Sequence, residues 1–92
     1  MPFELRYHPR IADDLKRLTP AVRARIGRAI AERLREAPER FSVPLTGSLR
    51  GHRKLRVGDY RVVFRIDREH VDVLAVAHRR DVYERAARRT SC

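Results

Sequence analysis

The chain has 92 residues, of which 22 are Lys or Arg and 12 are Asp or Glu, and its formal net charge at pH 7 is +10. This length predicts a single domain over residues 1–92 and excludes a second hydrophobic core, while the excess positive charge indicates an anionic partner, either nucleic acid or an acidic protein. The single cysteine, Cys92, excludes an intrachain disulfide bond, and we interpret it as an inert tail residue of a protein from a reducing compartment.

The N-terminal residues predict a short strand and no targeting segment. They contain Glu4 and no long apolar run, which argues against a signal peptide or a membrane anchor and favours a soluble, cytoplasmic protein. Phe3, Leu5 and Tyr7 alternate with charged residues, a pattern typical of a half-buried strand that ends before Pro9.

Two helices are predicted between this strand and Pro38, because the apolar period changes from two residues to three or four. Thr19 is expected to cap the second helix, which begins at Pro20 and runs to about Glu36. The apolar stripes consist of Ile11, Leu15 and Leu18 in the first helix and of Val22, Ile26, Ile30 and Leu34 in the second. Asp14 is assigned to the outer face of the first helix. The two helices should form a hairpin that covers one face of a sheet.

The residues around and after the second helix predict solvated surface and loop. The helix carries arginines at positions 23, 25, 28, 33 and 35, which we interpret as a solvated face rather than as a second binding site. Residues 38–51 contain two prolines and two glycines and predict a connecting loop. Phe41, Val43 and Leu45 are expected to pack beneath this loop.

The segment from His52 to Ile66 predicts a β-hairpin that turns at Gly58 and Asp59. A two-residue loop that begins with glycine suits a type II′ turn. Side chains alternate across a strand, so one face of the hairpin is apolar and the other is cationic. The apolar face consists of Leu55, Val57, Tyr60, Val62, Phe64 and Ile66, and the cationic face consists of His52, Lys54, Arg56, Arg61 and Arg65.

The predicted hairpin register places two arginines directly opposite each other on the cationic face. Arg56 faces Arg61, and such a like-charge pair costs a few tenths to about 1 kcal/mol of stability. The repulsion would be relieved by a bound polyanion. The alternative interpretation is an ordinary polar face in contact with solvent.

Residues 71–78 predict a third strand that returns antiparallel to the hairpin after a turn at residues 67–70. This register places Val71 opposite Ile66 and Asp72 opposite Arg65, so apolar and oppositely charged residues are paired. The cationic face then also contains Val63, Leu74, Val76 and His78. The expected fold is α+β: an antiparallel sheet, made of the N-terminal strand and a three-stranded C-terminal meander, covered on one face by the helical hairpin. The other face is expected to be an open basic groove.

Residues 79–92 are mostly polar and predict a short helix or a mobile tail after the last strand. Arg79 and Tyr83 lie at its beginning, where they can fold back over the basic groove.

The runs LRGHRKLRVGDYRVVFRI and VDVLAVAHRRDVY resemble the RelE/ParE toxin superfamily, and most closely its RelE ribonuclease branch. The resemblance covers nearly the whole chain in element order, with its most distinctive part between His52 and Tyr83. It implies the toxin of a type II toxin–antitoxin system, which cleaves messenger RNA in the ribosomal A site without a metal or other cofactor. It also implies a RelB-like antitoxin whose acidic segment occupies the basic groove and through which alone the toxin reaches operator DNA.

The resemblance further implies five catalytic residues. The basic positions of the family's central strands fall on Lys54 and Arg56, the arginine of its DYR motif on Arg61, the arginine after the last strand on Arg79, and the tail tyrosine on Tyr83. Where some members carry a further lysine at the start of the hairpin, this chain has His52, which leaves the identity of the general base open. We expect His52, Arg65 and His78 to contact RNA.

Residue chemistry gives these side chains distinct expected roles. The planar fork of arginine binds two phosphate oxygens and keeps its proton, so Arg61 and Arg79 are expected to stabilise the charge that develops on the phosphate. Lysine serves as a general base where neighbouring cations lower its pKa, and we assign that role to Lys54. Tyr83 either stacks on the nucleotide at the scissile bond or packs the tail against the sheet.

Two other functions remain open. A ParE-like toxin inhibits DNA gyrase without catalysis, and a nucleic-acid-binding module without activity requires only the basic face. The four histidines, at positions 8, 52, 70 and 78, lack the close spacing of a zinc site, so no metal is expected.

Overall fold

The computed structural model describes residues 2–90, so the prediction for Cys92 lies outside the described residues. Its five-stranded sheet has the order β1-β5-β4-β3-β2. The strands are β1 (Glu4–Tyr7), β2 (Val43–Pro44), β3 (Arg53–Val57), β4 (Tyr60–Asp67) and β5 (His70–His78). The helices are α1 (Ile11–Lys16), α2 (Pro20–Ala29) and α3 (Val82–Thr90), with a π-helical turn at Ile30–Leu34 and a 3₁₀ turn at Gly47–Leu49. No helix within residues 2–90 is long and apolar enough to cross a membrane.

The helical hairpin forms as its apolar period predicts. The backbone N–H of Val22 donates a hydrogen bond to Thr19 Oγ1 at 3.3 Å, so Thr19 caps α2 as expected. Ile26 and Leu34 are fully buried against the sheet. The helix changes to a π-helical turn after Ala29 and ends at Leu34, two residues before the predicted end.

The loop over residues 38–51 contains more structure than predicted. Val43 and Pro44 pair with β3, and Leu49 is buried. The expectation that Phe41 and Val43 pack beneath the loop is wrong, because their side chains are 43% and 55% exposed. The two-residue edge strand turns Val43 outward, and the guanidinium groups of two arginines cover the Phe41 ring instead.

The predicted register of the β3–β4 hairpin is confirmed. Val57 pairs with Tyr60 and Arg56 with Arg61. Gly58 has φ +60° and Asp59 has no positive φ, the combination that a type II′ turn requires. The turn therefore sets which hairpin side chains share a face.

A β-bulge changes the second half of β5. The predicted pairs Val71–Ile66 and Asp72–Arg65 are present, but Phe64 pairs with Val73 while Val63 pairs with Ala75, which makes Leu74 an additional residue on β5. The predicted placement of Val76 and His78 on the basic face is therefore wrong. Val76 is buried in the core beneath α1 and α2, and His78 pairs with Tyr60, whose ring packs against the same core.

The sheet is mixed rather than antiparallel. β3, β4 and β5 form the predicted antiparallel meander, but β1 runs parallel to β5, with Leu5 paired to Val71. Apolar alternation specifies the faces of a strand and not its direction, which is determined here by the path of the chain through the helical hairpin. The α+β class and the helical hairpin on one face agree with the prediction.

The face predicted to be an open groove carries α3. The buried side chains of α3 pack against apolar side chains on this face of the sheet. The buried cluster consists of Leu49, Val63, Ala75, Ala77, Val82 and Ala86. The segment after β5 is thus a helix that covers the apolar part of this face. The basic residues of the face lie outside the buried cluster.

Candidate functional site

The five residues predicted to be catalytic lie on the β3–β4 hairpin and on the segment from Arg79 to the start of α3. Arg56 and Arg61 are directly paired across the hairpin, and Lys54 lies two residues before Arg56 on the same face. The backbone N–H of Arg79 donates to the Asp59 carbonyl at 2.8 Å, which holds Arg79 beside the turn. Tyr83 contacts Lys54 from α3. We call the set Lys54, Arg56, Arg61, Arg79 and Tyr83 the basic site.

The guanidinium group of Arg61 is anchored at the hairpin turn. Its Nη1 donates to the carbonyl oxygens of Gly58 and Tyr60, both at 2.8 Å, and the side chain is half-buried. Its Nε and Nη2 groups have no hydrogen-bond acceptor within the described part of the chain. The anchored group can therefore present a fixed pair of donors to an anion.

Lys54 and Tyr83 connect the sheet to α3. The ammonium nitrogen of Lys54 lies 5.5 Å from the centroid of the Tyr83 ring, which is cation–π geometry. Tyr83 is half-buried and also packs against the cluster beneath α3. Tyr83 therefore packs the tail against the sheet, and its expected stacking on the nucleotide stays a prediction.

The basic site contains no compensating carboxylate. None of the ion pairs found among residues 2–90 includes Lys54, Arg56, Arg61 or Arg79. Unpaired cations held a short distance apart repel one another, and the repulsion is relieved when an anion binds between them. The arrangement is suited to a polyanion.

Of the three residues expected to contact RNA, two line a neighbouring cleft. His52 and Arg65 lie in a cleft of about 500 Å³ with Asp72, which accepts hydrogen bonds from Arg65 at 3.4 Å and more closely from Arg6. Burial, reinforced by the charge of Arg65, lowers the pKa of His52 despite opposing backbone carbonyls, and the hydrogen bond from Arg6 lowers the pKa of Asp72. Nδ1 of His52 is buried without a hydrogen-bond partner among the described residues.

His78 lies apart from the basic site. Its ring makes an edge-to-face contact with the Tyr60 ring, with centroids 5.6 Å apart, and its Nδ1 accepts from the backbone N–H of Arg80 at 3.2 Å. The bulge in β5 turns it away from the face that carries Lys54 and Arg61. The expected contact of His78 with RNA stays a prediction, which the placement of its side chain on the face of Tyr60 does not support.

The predictions missed a buried ion cluster that positions α3. Asp14, expected to face outward, is 1% exposed and binds Arg85 and Arg89 of α3. Asp14 Oδ2 accepts from the Val76 backbone N–H at 3.0 Å, while Arg85 and Arg89 donate to the carbonyl oxygens of Val76 and Leu74. β1 pairs with β5 only as far as Val73. Beyond that residue, the side chains of the cluster supply the hydrogen-bond partners of the β5 backbone that a neighbouring strand would otherwise provide.

The ionisation of Asp14 follows from these contacts. Burial alone would raise the pKa of Asp14, but the hydrogen bonds from Arg89 and Val76 outweigh burial and lower the pKa. The sequence did contain a signal for the cluster, because Asp14 lies three residues after Ile11, within the apolar stripe of α1.

Comparisons with known proteins identify the family. Residues 5–83 match the family described as the ParE toxin of the type II toxin–antitoxin system parDE. The toxin RelG of Mycobacterium tuberculosis is 37% identical over 87 residues, which cover 92% of this chain and 100% of RelG. The toxin RelE of the same organism is 33% identical over 84 residues, which cover 89% of this chain and 87% of that protein.

Solved structures agree. The toxin–antitoxin complex RelBE2 from M. tuberculosis contains a chain that matches with a TM-score of 0.80 and 31% identity, over 85% of this chain and 99% of that one. A mutant of the E. coli toxin RelE in the free state matches with a TM-score of 0.73 and 26% identity, over 97% and 98% of the two chains. The chain therefore belongs to the RelE/ParE superfamily of toxins of type II toxin–antitoxin systems.

Proposed function

We propose that this toxin is a metal-independent endoribonuclease that cleaves messenger RNA in the ribosomal A site and thereby inhibits translation. The observation that carries the proposal is the convergence of Lys54, Arg56, Arg61, Arg79 and Tyr83 with no carboxylate partner among residues 2–90. The similarity to toxins named RelE and RelG supports it.

The proposed reaction is attack by the RNA's own 2′-oxygen on the adjacent phosphorus. The new P–O bond forms as the bond to the 5′-oxygen breaks, and the departing 5′-oxygen takes a proton from water, which leaves a 2′,3′-cyclic phosphate and a 5′-hydroxyl end. Arg61, fixed by the Gly58 and Tyr60 carbonyls, and Arg79, fixed by its backbone at Asp59, neutralise the additional charge on the phosphate. Lys54 in its neutral amine form accepts the 2′-proton, and Arg56 contributes to the positive potential.

We expect RNA binding to change the contact between Lys54 and Tyr83. The Lys54 nitrogen lies 5.5 Å from the centroid of the Tyr83 ring, and Lys54 leaves this contact when it turns towards a 2′-hydroxyl. An aromatic ring beside the scissile nucleotide can stack on the neighbouring base instead. Substrate binding would thus exchange a cation–π contact for a stacking contact.

The proposed partner is a RelB-like antitoxin. A relative at 31% identity belongs to the toxin–antitoxin complex RelBE2, and the basic site would attract an acidic antitoxin segment. Bound there, the segment would exclude RNA, and operator DNA would be contacted only through the antitoxin. The ribosomal target implies a cytoplasmic location.

Primer extension on a messenger RNA translated in a purified bacterial system tests the proposal. Wild-type protein should cut at codon-spaced positions only when ribosomes are present, and Arg61→Ala should abolish the cuts. Arg68→Ala is the matched control, because this exposed arginine lies past the opposite end of β4. Thermal unfolding of each variant distinguishes a folded but inactive protein from an unfolded one. An uncut message with folded wild-type protein would exclude the proposal.

The second candidate is inhibition of DNA gyrase without catalysis. It is favoured by one observation, the match of residues 5–83 to a family described by the name ParE. Supercoiling by purified gyrase in the presence of the protein tests it. Inhibition of supercoiling together with intact message would support the second candidate over the ribonuclease.

A further inference from the structure

A second basic cluster lies beside the basic site, on the α2 side of β3. A pocket of about 180 Å³ separates α2 from the end of the strand and from Gly58. The charged residues that line it are Arg25, Arg28, Glu32, Arg33 and Arg56. Arg56 therefore belongs both to this pocket, which we call the β3-edge pocket, and to the basic site.

Three local features lie at this pocket. β2 pairs with β3 only at Arg53 and Lys54, so the remainder of β3 is an unpaired edge within the described part of the chain. Nη1 of Arg25 lies 2.9 Å from the position that a Cβ on Gly58 would occupy, so the guanidinium group rests on the hairpin turn. Arg33 lies in the π-helical turn, an irregularity that occurs often at functional sites.

The charge of the β3-edge pocket is not balanced within the protein. Four arginines face one glutamate, which leaves a net charge of +3. No ion pair or side-chain hydrogen bond among residues 2–90 involves Arg25, Arg28 or Arg56, and the guanidinium carbon of Arg33 lies 5.9 Å from the centroid of the Phe41 ring. Guanidinium groups bind phosphate oxygens in pairs, and the pocket has room for a phosphate group with a few waters at about 30 Å³ each.

We propose that the β3-edge pocket binds a backbone phosphate of the RNA strand, outside the scissile nucleotide. This inference rests on the proposed ribonuclease function and extends it to the path of the substrate. RNA carries one phosphate at every nucleotide, so a strand held by Lys54 and Arg61 presents further phosphates on either side. Arg56 connects the two sites, which directs the strand over the β3 edge towards Arg25 and Arg28.

The test measures binding of a fluorescent heptamer RNA with 2′-O-methyl groups throughout, which cannot be cleaved by its own 2′-oxygen. Anisotropy titrations between 50 and 200 mM NaCl compare the full-length wild-type chain with Arg25→Ala/Arg28→Ala. The charge-matched control is Arg17→Ala/Arg68→Ala, two exposed arginines away from the pocket. The pocket variant should bind about tenfold more weakly, and its salt slope should fall by about 0.7 for each phosphate that it no longer neutralises.

The outcomes separate this inference from the proposed function. Equal weakening in both double variants would attribute binding to net charge alone and overturn the phosphate site. Weakened binding to message-free ribosomes with unchanged binding to the heptamer would assign the arginines to ribosomal RNA and also overturn it. Primer extension is scored separately: no cutting by wild-type protein contradicts the ribonuclease, even where the pocket variant loses the heptamer.

Discussion

Arg89 on α3 binds both carboxylate oxygens of Asp14 on α1, with Nη1 and Nη2 each at 2.7 Å. This bidentate pair connects helices from opposite faces of the sheet across the edge of β5. Because α3 also carries Tyr83, the pair fixes the helix that supplies one side chain of the basic site. Stability and the geometry of the proposed site therefore depend on the same buried carboxylate.

Asp14→Ala should destabilise the fold severely. It removes the acceptor of two partly buried guanidinium groups and of the Val76 N–H, and the loss of a buried charge partner costs about 3–5 kcal/mol. Urea denaturation followed by circular dichroism measures the change. Asp13→Ala is the control, since this exposed neighbour pairs only at the surface with Arg10 and should change stability by about 1 kcal/mol or less. Similar losses in both variants would contradict the role assigned to Asp14.

The free energy of unfolding should fall as the pH is lowered through the range in which free histidine titrates, around pH 6.5. Burial is the main cause that lowers the pKa of both His8 and His52, so the folded state binds protons less readily than the unfolded state. The contribution of the two neutral histidines to the free energy of unfolding is complete above the pKa that they have in the unfolded state. It is lost as the pH falls towards the lower pKa values that they have in the folded state. Urea midpoints from pH 7.5 to 5 measure this, and His8→Gln/His52→Gln should flatten the profile. An unchanged profile in that variant would refute the assignment.

Two glycine substitutions should have opposite effects. Gly58→Ala should cost about 1–2 kcal/mol, because φ is +60° and the new Cβ would meet Arg25. Gly27→Ala should stabilise by about 0.5–1 kcal/mol, since Gly27 lies in α2 with no atom within 4 Å of the added Cβ. Differential scanning calorimetry of both variants provides the comparison. Stabilisation by Gly58→Ala would show that the hairpin turn differs from the one described.

Tyr83→Ala should lower the rate of message cleavage while Tyr83→Phe retains most of it. Stacking of an aromatic ring on a base contributes about 1–3 kcal/mol, which corresponds to a loss of roughly fivefold to 150-fold, and the stacking needs the ring rather than the hydroxyl group. Single-turnover cleavage on stalled ribosomes measures the rates. An equal decrease of the cleavage rate in the two variants would show that the hydroxyl group of Tyr83, and not its ring, is the part that cleavage needs.

Local sequence patterns determined the secondary structure and the register of the hairpin. The type II′ turn has a positive φ at Gly58, alternation assigns Lys54, Arg56 and Arg61 to one face, and Thr19 caps α2. These features depend on residues near one another in the chain, so composition and spacing suffice to predict them. The basic site follows for the same reason, because most of it lies on one hairpin.

Only the tertiary structure decided how the sheet is completed and covered. The additional residue at Leu74 turns Val76 and His78 to the opposite face, yet nothing in the run of apolar residues marks where a bulge falls. Asp14 is buried against Arg89, a partner 75 residues away in the chain, and the direction of β1 depends on how the chain returns to β5. The bulge, the burial of Asp14 and the direction of β1 depend on packing and charge pairing between segments that are distant in the sequence. These contacts form only when the helices and the sheet have assembled.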